Sequence, residues 1–292
     1  MPAFLTLACT LYLILPVLSV SCSSIQEEKP DITETPIPIN HEADSLSTTL
    51  FISADNVGNI RSGHTDILIY SMSGIQELLV HREYETPPKE TEILVPEGDI
   101  ECIVITNSPS KLNTATLNRL DAAKQMCFQF KDEDPESPIM TGHCTMVAGT
   151  RDTIKIRPFL CAVHLVMASN AMDGYELVES PQVWLTGLNP SVSVLQEDEF
   201  RPSEFIANGR HEQFPSDIGF YTMYPGITLY CYPNDTPPRD LGSAHTAIAF
   251  EAMIDGCTCQ EEYELPAIGR AGSIMVSVTI FGPDDIRFET LN

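Results

Sequence analysis

Basic residues are scarce in this sequence. Its 292 residues include 16 Lys and Arg against 41 Asp and Glu, which gives a formal net charge of −25. A protein with this charge balance repels phosphate backbones and anionic membrane surfaces, so we expect no nucleic-acid partner. Apolar residues make up 43% of the chain, which is enough to form a buried core and argues against disorder over its full length.

Motifs that carry catalysis are also missing. The sequence has no GxSxG elbow, no HExxH pair and no glycine-rich phosphate loop. His64 and Asp66 are expected to be polar surface groups, and KDEDPE at 131–136 is expected to be a solvated loop because it lacks the Gly and the distal Glu of a calcium loop. Cys257 and Cys259 lack the second ligand pair of a zinc clip. We therefore predict a protein that is not an enzyme, with no catalytic residue, no metal and no cofactor.

Long apolar runs are confined to the start of the sequence. Residues 3–20 carry no charge and are rich in Leu, and Pro16 interrupts them before a series of small residues. This order is typical of a secretory signal peptide, so residues 1–21 are predicted to be one. After residue 22 no apolar run reaches the length that a membrane-spanning helix needs.

Cys22 stands where the apolar run gives way to acidic residues. The stretch Leu18-Ser19-Val20-Ser21-Cys22 resembles a loose bacterial lipobox, in which the cysteine thiol is acylated and becomes the new amino terminus. Acyl chains supply about 0.8 kcal/mol per buried CH₂, so several together can hold a soluble domain on a bilayer. The alternative is a secreted protein in which Cys22 is free or paired. Residues 22–49, rich in Pro, acids, Ser and Thr, are predicted to be a flexible tether.

Short apolar segments rich in β-branched residues, separated by turn residues, fill the rest of the chain. This pattern predicts an all-β fold of sandwiches. The candidate strands are 50–54, 65–72, 76–84, 90–96, 100–106, 144–149, 152–167, 180–188, 226–233, 246–254, 260–266 and 273–281. One short helix is predicted within 112–126, capped by Asn113 or Thr114. The long strand that ends at residue 167 suggests two sandwiches, one over 50–167 and the other over 168–292.

The order of these segments is similar to that of a known family. TDILIYSMSGIQELLV, ETEILVPEGDIECIVITN and MTGHCTMVAGTRDTIKIRPFLCAVHLVM, with LYCYPNDTP and the final SIMVSVTIFGP, resemble the fimbrillin-associated anchor family of Bacteroidales. The resemblance implies two tandem transthyretin-like (Ig-like) β-sandwich domains. It also implies a surface-exposed lipoprotein of the cell outer membrane that anchors or helps to assemble a fimbrium and has pilin subunits as partners. The acids that follow Cys22 are similar to the export signal of Bacteroidetes surface lipoproteins.

The resemblance also directs attention to Arg61, in NVGNIRSGH. In shaft subunits of this family an Arg-directed protease removes the first strand, and Arg61 is where such a cut would fall. The alternative, which we prefer, is a solvated loop residue, so we expect the mature protein to stay whole from Cys22. The partner contact is expected at a strand edge, with SIMVSVTIF as the candidate strand. If that strand is instead central and buried on both faces, it offers no edge.

A second function class is a surface lipoprotein that binds glycans or other host ligands as an adhesin. The densest aromatic cluster consists of Tyr221, Tyr224, Tyr230 and Tyr232. Alternation along a strand would put Tyr230 and Tyr232 on the same face, where they could form a binding platform. The alternative is a packed core whose hydroxyl groups reach the rim.

Overall fold

The computed structural model describes residues 45–54, 61–174, 176–223, 226–237 and 244–291. β-Strands are the main secondary structure of these residues, which include one short α-helix, as the sequence predicts. The strands, numbered in chain order, are β1 (Ser45–Ala54), β2 (Thr65–Ser71), β3 (Leu78–Tyr84), β4 (Glu90–Pro96), β5 (Asp99–Thr106), β6 (Cys127–Gln129), β7 (Met140–Val147), β8 (Arg151–Pro158), β9 (Cys161–Asn170), β10 (Glu179–Leu188), β11 (Ser191–Ser193), β12 (Ile206–Asn208), β13 (Glu212–Gln213), β14 (Ile227–Cys231), β15 (Ala247–Ile254), β16 (Cys257–Glu264), β17 (Ser273–Gly282) and β18 (Asp285–Leu291).

The first sandwich is built from β1 to β8 without β6. One sheet has the order β4-β1-β8 and the other β3-β2-β5-β7, and they join where the start of β7 pairs with the end of β8. Leu50, Ile93 and Ile154 from the first sheet pack against Ile67 and Val104 from the second in one buried cluster. The alternate residues of β2 and β5 point to the opposite face, which is also covered. These two strands are therefore apolar on both faces, and for this reason they have nearly continuous apolar sequences.

The segment between β5 and β7 covers that second face. It contains helix α1 (Leu120–Lys124), a 3₁₀ turn (Phe130–Asp132) and the short strand β6. Leu117 and Leu120 pack on Tyr70, whose hydroxyl donates to the Leu117 carbonyl at 2.9 Å. The helix lies at the end of the predicted span and has Arg119 at its N-cap, whereas the predicted cap Asn113 forms a separate turn by accepting from the Ala115 N–H at 3.2 Å.

The second sandwich pairs the sheet β12-β10-β15-β16 with the sheet β14-β9-β17-β18. Strand β13 adds to β10 beside β12. The core between the sheets includes residues that are each at most 2% exposed: Val163, Leu185, Phe250, Val276 and Val278. The fold class predicted from the sequence, tandem β-sandwiches with one short helix, is confirmed. No helix in the described parts of the chain is long and apolar enough to cross a membrane.

Some strand limits differ from the prediction. The single strand predicted over 152–167 is two strands, because β8 ends at Pro158 and β9 starts at Cys161. Pro158 has no N–H to continue the ladder. The boundary predicted at 167–168 falls inside β9, and β1 starts at Ser45, so residues 45–49 of the predicted tether belong to the sheet.

Arg270 joins the two sandwiches, which pack as one compact unit. It lies between β16 and β17, and its side chain is 1% exposed. Its guanidinium donates to the carbonyls of Thr141 at 2.8 Å and Arg157 at 2.7 Å in the first sandwich, binds Glu197 at 2.7 Å, and lies 4.1 Å from the centre of the Phe159 ring. Burial lowers the pKa of Arg270 to about 10, so the group remains charged at neutral pH.

Candidate functional site

The first strand occupies the middle of its sheet. β1 pairs antiparallel with β4, from Ser45 opposite Pro96 to Phe51 opposite Glu90. It also pairs parallel with β8, from Thr49 opposite Arg151 to Ala54 opposite Ile156. Leu50 is fully buried in the core of the sandwich. Loss of β1 would therefore open a groove between β4 and β8, with both ladders unpaired and an apolar floor exposed.

Arg61 follows β1 in an irregular segment that is held through its backbone. The Arg61 carbonyl accepts from the Asn107 amide at 2.9 Å, and the Gly63 N–H donates to Asn107 Oδ1 at 2.7 Å. The Arg61 side chain is 81% exposed, and its guanidinium lies 3.6 Å from a carboxylate oxygen of the exposed Glu136. The guanidinium is thus accessible from solvent while the backbone beside it is fixed. This geometry is compatible with both interpretations of Arg61 drawn from the sequence.

Four of the cysteines face each other in two pairs across neighbouring strands. Cys22, the predicted lipidation site, lies outside the described residues. Cys102 and Cys161 are buried in apolar strands, and each faces another cysteine on the neighbouring strand, Cys144 and Cys231 respectively. The thiols of all seven described cysteines are free. A hydrogen bond with the opposite thiol and burial raise the pKa values of Cys102 and Cys231, so these thiols stay protonated.

The aromatic platform expected from Tyr230 and Tyr232 does not form. Tyr232 lies just after β14, is fully buried, and packs edge-on against Phe130 with the ring centres 5.4 Å apart. Tyr230 points outward and is 38% exposed. The alternation that would have aligned them stops because β14 ends at Cys231. Tyr221 is exposed beside Phe220, and Tyr224 lies outside the described residues.

The strand expected to offer a free edge is an interior strand. SIMVSVTIF corresponds to β17, which pairs parallel with β9 on one side and antiparallel with β18 on the other. The prediction of an edge at β17 is wrong because the following residues, 285–291, fold back as a hairpin partner. Within the described residues, β18 is the outer strand on this side of the sheet, and β14 is the outer strand on the other side.

The sheet edges differ in how well they are protected against pairing. The outer strand of the opposite sheet, β16, exposes Gln260, Glu261 and Glu262, and repulsion between acids of this kind discourages another strand. β18 has neither Pro nor Gly over Asp285–Leu291. Its Asp285 and Arg287 neutralise each other, with the Arg287 Nε 2.6 Å from a carboxylate oxygen of Asp285. β18 is therefore the better template for an added strand.

Solved structures with a similar fold include fimbrial and cell adhesion proteins. A candidate cell adhesion protein of Parabacteroides distasonis aligns with a TM-score of 0.63 at 14% identity, covering 85% of this chain and 96% of that one. The fold is that of Bacteroidales fimbrial proteins. The fimbrilin FimA of Porphyromonas gingivalis aligns with a TM-score of 0.57 at 9% identity over 82% of this chain and 90% of its own. The tip fimbrial protein Mfa3 of the same organism aligns with a TM-score of 0.53 at 9% identity over 85% and 98%.

These likenesses cover almost the whole of each neighbour, and they confirm the resemblance noted from the sequence at the level of the fold. No protein-family model matches the chain, and no curated protein matches it significantly.

Proposed function

We propose that the protein is a surface lipoprotein that anchors a fimbrium or helps to assemble it, through strand-edge contacts with pilin subunits. The structural neighbours described as a fimbrilin and a tip fimbrial protein support a role in a fimbrium. The observation that carries the proposal is the position of β1. Because the chain's own first strand fills the middle of its sheet, an incoming strand has no groove to enter and must add to an outer edge.

The edge that we assign to this contact is β18. Its outward N–H and C=O groups can form a ladder with a strand of a pilin subunit, and such main-chain hydrogen bonds supply affinity with little dependence on sequence. The neighbouring face of β17 carries two partly exposed apolar side chains, Met275 and Phe281, which a pilin side chain could cover. The alternation of side chains along β18 would then set the register of the added pilin strand.

Two adjacent proline substitutions test the β18 contact. Successive N–H groups of an antiparallel strand point to opposite sides, so of Glu289→Pro and Thr290→Pro one removes an outward donor and the other removes a ladder bond to β17. We expect the outward variant to keep its melting temperature but to bind purified pilin subunits about fivefold more weakly, since each main-chain hydrogen bond contributes about 1 kcal/mol. Surface plasmon resonance with fimbrial subunits encoded in the same genome measures this.

The companion variant serves as the control, because it should lower the melting temperature. If both variants bind pilin subunits as well as the unsubstituted protein does, then β18 is not the contact. If the unsubstituted protein itself binds no pilin subunit, then the proposed function is wrong.

The amino terminus of the mature protein tests the anchoring part of the proposal. In this proposal Cys22 carries the acyl chains, and a cut after Arg61 would leave them on a fragment with β1 that is no longer covalently joined to the other strands of the two sandwiches. We therefore expect mass spectrometry of the protein from outer membranes to find an acylated Cys22 and an intact bond between Arg61 and Ser62. A mature protein that starts at Ser62 would instead indicate a shaft or tip subunit whose first strand is replaced by that of a neighbour.

A further inference from the structure

One face of the β2–β3 hairpin carries two histidines and two carboxylates that the proposed function does not use. Asp66 and Glu83 are directly opposite each other in the β2–β3 register. His81 precedes Glu83 by two residues, and His64 precedes Asp66 by two. Because side chains alternate along a strand, all four lie on the same face of the sheet.

The ligand atoms of these side chains converge. His81 Nε2 lies 2.7 Å from Asp66 Oδ1, and His64 Nε2 lies 3.3 Å from Asp66 Oδ2. One ligand atom each from Asp66, His81 and Glu83 lies within 4.8 Å of the other two. The backbone ladders of β2 to β3 and of β2 to β5 fix the strands that carry them, so small rotations of the side chains are enough to change these distances.

Asp66 provides an independent sign that a cation belongs here. It was expected on the surface, but it is completely buried. Among the residues that the structure describes, none donates a hydrogen bond to its Oδ2 atom, because His64 approaches without hydrogen-bond geometry. A buried carboxylate oxygen without a donor is costly, and proteins usually satisfy such an atom with a hydrogen bond or a metal ion.

We propose that His64, Asp66, His81 and Glu83 bind a divalent transition-metal ion of the zinc class. Imidazole nitrogens together with carboxylate oxygens suit zinc, whereas magnesium and calcium prefer sites made of oxygen alone. Tetrahedral zinc holds its donors about 2.0–2.2 Å from the metal, hence roughly 3.4 Å apart. The His81 and Asp66 atoms, 2.7 Å apart, must therefore separate to admit the ion, which takes the place of their direct contact. The ligand atoms that lie farther apart, up to 4.8 Å, must move closer.

The cluster is open enough for an ion to enter. The side chains of His64 and Glu83 are 43% and 36% exposed, while those of His81 and Asp66 form the buried floor. One group competes with the metal: Lys111 Nζ lies 3.0 Å from Glu83 Oε1 and 3.2 Å from Oε2. Metal binding has to displace this ammonium group from Glu83, so Lys111 weakens the site.

Isothermal titration of the purified protein with ZnCl₂, after removal of metals with EDTA, tests the proposal. We expect one zinc ion per chain at this site, with no displacement by a hundredfold excess of Mg²⁺ or Ca²⁺. His81→Gln should weaken zinc binding by at least about tenfold, as loss of even an outer-shell partner of a metal ligand does. Lys111→Gln should strengthen it, a result that a purely structural histidine–aspartate hydrogen bond does not predict.

Two variants serve as matched controls. His143→Gln removes a different histidine–carboxylate pair, in which His143 Nδ1 lies 2.8 Å from Glu101 Oε1. Cys257→Ser removes an exposed thiol that could bind zinc elsewhere. Both should leave this binding event unchanged. The proposal is overturned if the unsubstituted protein takes up no zinc, or if His81→Gln and His64→Gln, with unchanged melting temperatures in EDTA, bind zinc as tightly as it does.

Discussion

Arg270→Ala should lower the free energy of unfolding by about 3–5 kcal/mol, the range observed when one partner of a buried ion pair is removed. The substitution leaves the carbonyl oxygens of Thr141 and Arg157 without their donor at the junction of the sandwiches. It also removes the cation that lies over the Phe159 ring. Urea unfolding followed by circular dichroism measures the change.

Arg287→Ala is the matched control for Arg270. Arg287 is 68% exposed and pairs with Asp285 at the surface, where solvent screens the ion pair, so its loss should lower the free energy of unfolding far less than the loss of Arg270. Arg270→Lys keeps the charge but loses the planar fork of donors, so we expect an intermediate cost. Equal stability of the Arg270→Ala and Arg287→Ala variants would show that the junction does not depend on Arg270.

Glu133→Gln should stabilise the protein at pH 8 by up to about 3 kcal/mol and leave it nearly unchanged at pH 4. Burial raises the pKa of Glu133 to about 7, and the hydrogen bond from the Ile139 N–H only partly offsets this. The unfolded chain loses this proton near pH 4.5, while the folded protein keeps it up to about pH 7. Stability therefore falls as the pH rises between these values, at about 1.4 kcal/mol for each unit, and stays low above pH 7.

Unfolding curves collected at intervals from pH 4 to pH 8 check this prediction. Glutamine has the shape of the protonated side chain, so the variant should lose the part of the pH dependence that lies between pH 4.5 and pH 7. Glu136→Gln, in the same segment but with its side chain 75% exposed, should leave the curve unchanged. A Glu133→Gln protein that is less stable than the unsubstituted one at pH 8 would contradict the assignment.

The β-strands could be predicted where local sequence and burial agree. β2 and β5 were predicted to within one or two residues because both of their faces are buried, which gives an uninterrupted apolar run between polar turns. The short strands β6 and β11 were missed, because each has three residues and exists only through pairing with the other across the chain. The helix is shorter than predicted since tertiary packing of Leu117 and Leu120, rather than helix propensity, fixes that segment.

The side chains of the proposed metal site, and the buried charged residues, were harder to predict than the strands. His64-x-Asp66 and His81-x-Glu83 have the spacing that puts each pair on one face, and this signal is present in the sequence. What brings the pairs together is the β2–β3 register, with Glu83 opposite Asp66, and the sequence does not specify that register. Glu133 lies in a segment expected to be solvated and is buried by distant residues, Tyr232 among them. No sequence pattern around Arg270 indicates that its side chain is buried at the junction of the sandwiches.

The location of β1 has a mechanical consequence. A tether attached before Ser45 would pull on β1 along its own axis, because the chain enters the strand at that end. Force in this direction acts in shear on the hydrogen bonds to β4 and β8 together, so the bonds share the load and do not open one at a time as they would in a peeled edge strand. In the proposed anchor, load on the fimbrium would thus be borne by the two hydrogen-bond ladders of β1 together.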